Sequence, residues 1–135
     1  MSRTAAFFAI LVFLLCTACT RQLQTPSIDL GGQYAELSQQ KVQEAIVQAC
    51  AYEGWTIREK TDSSVHAALN WKNKHFVDVS IHHDTQGITI GYVASRNMSY
   101  SADKTPKIHH QYNAWVQSLA DCIRGYLDLE VSQIK

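Results

Sequence analysis

The sequence predicts an α+β fold, a two-layer sandwich in which two helices cover one face of a four-stranded antiparallel sheet. Two segments with apolar residues at helical spacing stand before and after four short segments in which apolar and polar residues alternate. The connections between the alternating segments are short and rich in turn-forming residues, which is typical of an antiparallel meander. The predicted order is therefore helix, four strands, helix, with both helices on the apolar face of the sheet.

The segment 1–18 is interpreted as a cleaved signal peptide. Arg3 gives it a positive start, and an uninterrupted apolar run follows from Ala5 to Leu15. This run is too short to span a bilayer, and it has the length of the apolar core of a secretory signal. Removal of 18 residues from the 135 leaves 117, which is enough for one small hydrophobic core.

The residues Cys16-Thr17-Ala18-Cys19 resemble the lipobox of bacterial lipoproteins, in which small residues precede a cysteine that receives the lipid. The chain departs from the usual lipobox in having Cys16 where leucine is commonest. The resemblance implies cleavage after Ala18, lipidation of Cys19 and a membrane as partner through the lipid anchor. The alternative is a secreted protein that is cut at the same place. By analogy with the sorting of such lipoproteins, Thr20 in place of an aspartate implies the periplasmic side of the outer membrane rather than the inner membrane.

The segment 19–37 is predicted to be a flexible tether behind the lipidated cysteine, and 38–135 a single domain. The tether shows no sustained apolar period and contains Pro26 and the pair Gly31-Gly32. The whole chain has 12 basic and 12 acidic residues. This balanced charge argues against a nucleic-acid partner, since nucleic-acid-binding domains usually carry a basic patch.

The first helix is predicted over 39–53. Ser38 is a suitable N-cap because its hydroxyl can accept a hydrogen bond from a free amide of the first turn. Gly54 is a suitable residue just past the C-terminus of the helix. One apolar stripe at helical spacing is formed by Val42, Ala45, Ile46, Ala49 and Cys50.

Four strands with period-two alternation are predicted over 55–60, 65–72, 76–82 and 88–95. In the register that we expect, Val79 is opposite Leu69, and Ile81 is opposite both Ala67 and Ile90. This register places the apolar members of neighbouring strands on one face, as a half-buried sheet requires. The last strand is expected to direct four residues to that face, namely Ile88, Ile90, Tyr92 and Ala94.

The second helix is predicted over 108–127, after a loop at 96–107. Pro106 stands just before it, where a proline suits the start of a helix. Its apolar stripe consists of Ile108, Tyr112, Trp115, Leu119, Cys122, Ile123 and Tyr126.

Cys50 and Cys122 are a candidate disulfide, because both lie on apolar helix stripes and the periplasm is oxidising. Two neighbouring helices on one sheet can bring their Cα atoms within the roughly 4.4–6.8 Å that a disulfide needs. The alternative is a pair of separate buried thiols that act as small apolar residues.

No catalytic site, metal site or cofactor is predicted. In the expected register His66 and His82 oppose each other on the polar face of the sheet, but Asp78 is too far along the strand to complete a metal site with them. The chain has no Gly-x-Ser-x-Gly elbow and no glycine-rich phosphate loop, and its acidic residues are scattered singly. We therefore expect a non-enzymatic protein.

The loop before the second helix carries the most distinctive group of polar and aromatic residues, Ser95, Asn97, Tyr100, His109 and Tyr112. In one interpretation these side chains form a hydrogen-bond network that pins the loop to the helix. In the other they line a pocket at 95–109 for a small polar ligand.

The chain resembles a family of small, uncharacterised lipoproteins of Gram-negative bacteria. The resemblance covers nearly the whole mature domain and is carried by Gly54-Trp55, Tyr92-x-x-Ser95-x-Asn97-Met98-x-Tyr100 and Ile108-His109-x-x-Tyr112-Asn113-x-Trp115. It implies an α+β lipoprotein of the cell envelope but no assigned activity, so it transfers no catalytic residue. The leading expectation is an accessory or interaction module with a protein partner in the envelope; the alternative is a binding module for a small polar ligand.

Overall fold

The computed structural model describes residues 19–134, so the predicted signal peptide at 1–18 lies outside the described residues. In this part of the chain the fold is α+β, with two helices, a five-stranded sheet and a two-stranded sheet. The elements in chain order are β1 (Thr20–Gln22), β2 (Ser27–Asp29), α1 (Gln39–Tyr52), β3 (Thr56–Lys60), β4 (Ser64–Trp71), β5 (His75–His83), β6 (Gly87–Arg96), β7 (Lys107–His109) and α2 (Gln111–Ile134). A single 3₁₀ turn (Gly32–Tyr34) precedes α1.

The four predicted strands are confirmed as an antiparallel meander. The five-stranded sheet has the order β2-β6-β5-β4-β3, and all its neighbouring strands pair antiparallel. The fifth strand, β2, joins the free edge of β6. The small sheet pairs β1 with β7.

The prediction of a flexible tether over 19–37 is wrong, because this segment is part of the folded domain. Thr20 begins a strand, and Ile28 pairs with Ile88 of β6. Ile28 and Leu30 are both buried in the core. The backbone is also held between the short strands, since the amide of Leu23 donates to the carbonyl of Pro106 at 2.8 Å.

The register between β4 and β5 differs from the prediction by two residues. Val79 pairs with Ala67 instead of Leu69, and Ile81 pairs with Val65 instead of Ala67. The cause is the tight turn after Trp71, in which Lys72 and Asn73 both have φ of 55°. A shift of two residues leaves the same side chains on the same face. The predicted pairing of Ile81 with Ile90 is confirmed.

A β-bulge in β6 corrects the predicted facing of Ala94. Val79 pairs with Tyr92 but Asp78 pairs with Ala94, so Val93 is the extra residue. The strand therefore changes face beyond Tyr92. Ala94 lies opposite Asp78 on the polar side of the sheet, not beside Tyr92 on the core side.

The predicted features of α1 are confirmed. The Ser38 hydroxyl accepts a hydrogen bond from the amide of Lys41 at 3.1 Å, as an N-cap does. Gly54 has φ of +84°, the left-handed conformation that ends a helix and favours glycine. All five residues of the predicted stripe are buried, namely Val42, Ala45, Ile46, Ala49 and Cys50.

The second helix is shifted along the chain from its predicted position at 108–127. Ile108 is buried in β7 and not in the helix, because this segment pairs with β1 as an antiparallel strand. The helix continues beyond Leu127 to Ile134, where Asp128 accepts a hydrogen bond from the Tyr34 hydroxyl at 2.7 Å. The buried residues of α2 are Tyr112, Val116, Leu119, Ala120, Ile123, Leu127 and Glu130.

The core is one cluster of buried residues from both helices and the large sheet. It joins the buried stripes of α1 and α2 to alternate residues of β4, β5 and β6. The half-buried Trp115, Cys122 and Tyr126, which the sequence placed on the inner stripe of the second helix, pack at the margin of this cluster. None of the helices within 19–134 has the length and apolar character needed to cross a bilayer.

Candidate functional site

Three of the five predicted loop residues meet at one tyrosine that the sequence interpretation missed. The hydroxyls of Tyr92 and Ser95 are hydrogen-bonded at 2.8 Å. The ring of Tyr100 stacks on Tyr92 with 4.3 Å between centroids, and Tyr112 meets the same ring edge-on at 5.8 Å. Tyr92 is therefore the centre of this group. Its position in the Tyr-x-x-Ser motif was the available signal.

Asn97 and His109 belong to a second group, around His75 at the start of β5. The amide nitrogen of the Asn97 side chain donates to the carbonyl of Lys74 at 2.8 Å, and the Asn97 carbonyl accepts from His75 Nδ1 at 2.7 Å. The imidazole of His109 lies 5.4 Å from that of His75. The five residues thus fall into two neighbouring groups, not one network.

The loop between these groups is closed by its own packing. Met98 and Ile108 are buried, and the carbonyl of Met98 accepts a hydrogen bond from the amide of His109 at 2.7 Å. Ser101 and Lys107 exchange backbone hydrogen bonds at 2.9 and 3.1 Å. Backbone and apolar contacts thus hold the loop in place, together with the side-chain hydrogen bonds of Ser95 and Asn97 at its start.

Tyr112 is buried with an unpaired hydroxyl. Among the described residues, its oxygen has no hydrogen-bond partner. Burial, followed by the charge that Tyr92 would carry, raises the pKa of Tyr112, so the phenol stays neutral. An unpaired buried hydroxyl costs stability, since it gives up its hydrogen bonds to water.

Aromatic side chains of β4, β5 and α2 meet near the β4–β5 turn, where Trp71 is exposed and His75 and Trp115 are half-buried. The rings of Trp71 and Trp115 lie 5.8 Å apart, and His75 lies 6.5 Å from Trp115. Trp71 is 44% exposed, and the Lys72 ammonium lies 5.4 Å from the centroid of its ring. Tryptophan has a large apolar ring and a polar N–H, a combination that is enriched at interfaces.

Cys19, the predicted lipidation site, is exposed and is hydrogen-bonded to His110. Its carbonyl accepts hydrogen bonds from the backbone amide of His110 at 3.0 Å and from His110 Nδ1 at 3.3 Å. The imidazole of His110 stacks on His109 at 4.5 Å. Burial, then the positive charges of His110, His75 and Lys74, lowers the pKa of His109.

A groove of about 530 Å³ lies on the polar side of the large sheet. Two arginines border it. Arg58 forms an ion pair with Asp78 at 3.9 Å, and the Arg96 guanidinium lies 4.1 Å from the centroid of Phe76. Small and polar residues form much of the rest of the lining, among them Thr56, Ala68, Asn70 and Ala94. Arg96 stands at the start of the predicted loop 96–107, but the structure includes it in β6, and the bulge brings it to the polar side opposite Phe76.

The predicted opposition of His66 and His82 is wrong. His66 pairs with Ser80, and His82 pairs with Ser64, because the register is shifted by two residues. Asp78 is engaged by Arg58. Within residues 19–134, no three histidine, cysteine, aspartate or glutamate side chains are grouped so that they could hold a metal ion.

His83 is the one buried histidine of the described chain, and it is held between two glutamines. His83 Nδ1 donates to Gln39 Oε1 at 2.7 Å, and Gln43 Nε2 donates to His83 Nε2 at 3.0 Å. This arrangement fits a neutral imidazole. Burial and then His82 lower the pKa of His83, an effect that Asp84 opposes. His83 therefore joins α1 to the end of β5.

Cys50 and Cys122 are free thiols in this structure. Cys50 is buried, and its burial together with the nearby Cys122 raises its pKa to about 12. Burial and then Glu53 raise the pKa of Cys122. Both groups are thus protonated at neutral pH and poor nucleophiles. Their pairing as a disulfide stays a prediction.

Comparison of the chain with protein-family models, with curated proteins and with solved structures gave no match. The geometry described above is therefore the basis for the function proposed below.

Proposed function

We propose that this chain is a lipid-anchored lipoprotein of the bacterial envelope that acts as a non-enzymatic protein-interaction module. The lipobox-like residues before Cys19 and the apolar run behind Arg3 support the anchor. The exposure of Cys19 leaves its side chain accessible for modification. In this proposal the domain lies on the periplasmic side of the outer membrane.

The partner is proposed to bind the groove on the polar side of the large sheet. In this proposal both helices cover the opposite, apolar face of the sheet and leave the polar side free. The inclusion of both helix stripes and alternate strand residues in one core supports that arrangement. The observation that carries the binding site is the pair of arginines at the groove, Arg58 beside Asp78 and Arg96 over Phe76.

The chemistry of the groove indicates the kind of segment that it binds. Phe76 offers an apolar surface, and Arg96 above it offers donors to a carboxylate in a rigid planar fork. Arg58 is mostly exposed, and its ion pair with Asp78 at 3.9 Å is long. A partner carboxylate can therefore replace Asp78 as the ion-pair partner of the Arg58 guanidinium with little loss of free energy. We infer that the partner presents a polypeptide segment with an acidic side chain.

Fatty-acid labelling in cells tests the anchor. Wild-type protein is expected to incorporate a labelled fatty acid and to fractionate with membranes, whereas Cys19→Ser is expected to do neither. Cys122→Ser is the matched control, because Cys122 is a half-buried free cysteine of the folded domain, outside the lipobox-like residues. Labelling that survives Cys19→Ser, or that is lost in Cys122→Ser, contradicts the proposed anchor.

Photocrosslinking in cells tests the groove. A photoreactive amino acid replaces Ala94, which is exposed in the groove, and Ala51 provides an exposed alanine on α1 as control. A discrete crosslinked protein is expected from position 94 but not from position 51. Arg96→Glu is expected to weaken that band, since it reverses the charge that receives the carboxylate. The same bands from both positions, or no band from position 94, contradict the groove as the binding site.

A further inference from the structure

Cys19 directly precedes the first strand of the folded domain, without a linker between them. Its carbonyl is hydrogen-bonded to His110, and β1 begins at the next residue, Thr20. One residue spans at most about 3.6 Å, so a lipid on Cys19 holds the adjacent protein surface at the level of the lipid headgroups. That surface is therefore in contact with the bilayer whenever the lipid is inserted.

The segments 19–22 and 71–75 are both joined to the segment 97–110, and we call the region formed by these three segments, with Trp115 beside Trp71, the anchor face. Strand β1 pairs with β7, where Thr20 is opposite His109. The 71–75 segment is joined to the third segment through the hydrogen bonds of Asn97 with Lys74 and His75. The loop 97–107 is closed against Gln22 through Lys107.

The anchor face is basic although the whole chain is neutral. It contains a single acidic residue of the 12 in the chain, Asp103, and five basic residues, for a net charge of +4. The basic residues are Arg21, Lys72, Lys74, Lys104 and Lys107. The rest of the described chain contains the other 11 acidic residues and five basic residues, so its net charge is −6. A charge separation of this kind orients a protein on an anionic surface.

The same face carries the aromatic side chains that are favoured at membrane interfaces. Trp71 is 44% exposed and Tyr100 is 40% exposed, and Trp115 lies beside Trp71. Tryptophan and tyrosine are enriched at the level of lipid headgroups, because an apolar ring and a polar group lie on one side chain. Lys72, next to the Trp71 ring, can place its ammonium among phosphates while its stem covers the indole.

We propose that the anchor face is a membrane-binding surface, which docks the domain directly on an anionic phospholipid bilayer with Trp71 and Trp115 at headgroup depth. The occupant of this surface is a lipid bilayer, since the lipid-bearing residue, the positive charge and the interfacial aromatic rings coincide there. The proposal rests on the anchor at Cys19 that the proposed function includes.

Vesicle binding by unlipidated protein tests this proposal separately from the anchor. The chain from residue 19 with Cys19→Ser keeps the entire core, which lies between Ile28 and Leu127. Its folding is checked by circular dichroism. We expect it to co-sediment with vesicles of phosphatidylcholine mixed with phosphatidylglycerol, to bind vesicles of phosphatidylcholine alone far more weakly, and to dissociate as salt is added.

Two variants locate the surface. Lys72→Gln combined with Lys74→Gln is expected to weaken binding to the anionic vesicles roughly 25-fold, since each lysine near such a surface contributes about fivefold. Lys60→Gln, at an exposed lysine outside the anchor face, is the control and is expected to leave binding unchanged. Trp71→Phe with Trp115→Phe is expected to abolish the blue shift of tryptophan emission on binding, because the remaining Trp55 is only 5% exposed.

Three results would overturn the membrane-binding face. They are equal binding to both kinds of vesicle, equal weakening by the control and the double lysine variant, and binding to a soluble anionic polysaccharide without binding to vesicles. Loss of fatty-acid labelling at Cys19 overturns the proposed function instead. The two failures are therefore distinguishable.

Discussion

Replacement of Ile28 by alanine tests whether β2 belongs to the folded domain. Ile28 is 4% exposed, lies in the core cluster and pairs with Ile88 of β6. The substitution removes three buried carbons at about 0.8 kcal/mol each, or about 2.4 kcal/mol. The cavity that remains adds to this, so we expect a loss of about 3 kcal/mol in the free energy of unfolding. A small domain has only about 5–15 kcal/mol in total.

Urea unfolding of the chain from residue 19 with Cys19→Ser, followed by tryptophan fluorescence, measures this loss. Thr25→Ala is the matched control, since Thr25 is exposed in the same segment, and it is expected to change stability by no more than about 0.5 kcal/mol. Equal, small effects of Ile28→Ala and Thr25→Ala would refute the assignment of this segment to the core. The urea dependence of the unfolding free energy should be the same in all three proteins.

Three further predictions concern single side chains. Tyr112→Phe removes the unpaired hydroxyl and is expected to raise the free energy of unfolding by about 1 kcal/mol. Tyr34→Phe removes a hydrogen bond to Asp128 and should lower the free energy of unfolding by about 1 kcal/mol. The opposite order of stabilities in urea unfolding would contradict this prediction. Because the pKa of His83 is lowered on folding, the unfolded chain takes up the proton first as pH falls below 6.5. The stability that neutral His83 contributes is thus present above this pH and lost below it, and the loss should be smaller in His83→Gln when unfolding is compared at neutral and mildly acid pH. The pKa of His109, lowered by burial and by positive neighbours, should rise when anionic bicelles bind the anchor face, as NMR titration would show; an unchanged value would count against contact there.

The elements that the sequence predicted well are those whose signal is local. In α1, the cap at Ser38, the stripe around Ile46 and the glycine at position 54 all lie within one short segment, and each is confirmed. The three long strands β4, β5 and β6 likewise carry their alternation within themselves. Neither prediction needed a partner elsewhere in the chain.

The short strands could not be predicted in this way, because their stability comes from distant partners. In β2, Ile28 is the only buried residue, and its partner Ile88 is 60 residues away. A segment of only four residues between Pro26 and Gly31, with Ile28 and Leu30 as its apolar members, resembles a loop in sequence. Ile108 continues the apolar stripe of the following helix, and only its pairing with Arg21 of β1 makes it part of a strand. Context of this kind decides strand formation more than propensity does.

The site was predicted in composition but not in arrangement. The motif residues Ser95, Tyr100 and Tyr112 lie together because each of them contacts Tyr92, which the prediction did not include. The register error between β4 and β5 was invisible to the hydrophobic pattern, since a shift of two residues changes no facing. That error created the false opposition of His66 and His82.

The lack of a linker after Cys19 limits which molecules can reach the groove. Phe76 and Asn70 directly adjoin the 71–75 segment of the anchor face, so the groove begins at the edge of that face. In the proposed docking its near end therefore lies only about one residue, or about 3.3 Å, beyond the surface that meets the headgroups. Under the proposed function, this domain cannot search the depth of the periplasm as a lipoprotein on a long linker can. The proposed partner then has to bring its acidic segment down to the membrane, as the stretch of chain just outside a transmembrane segment or a second anchored protein would.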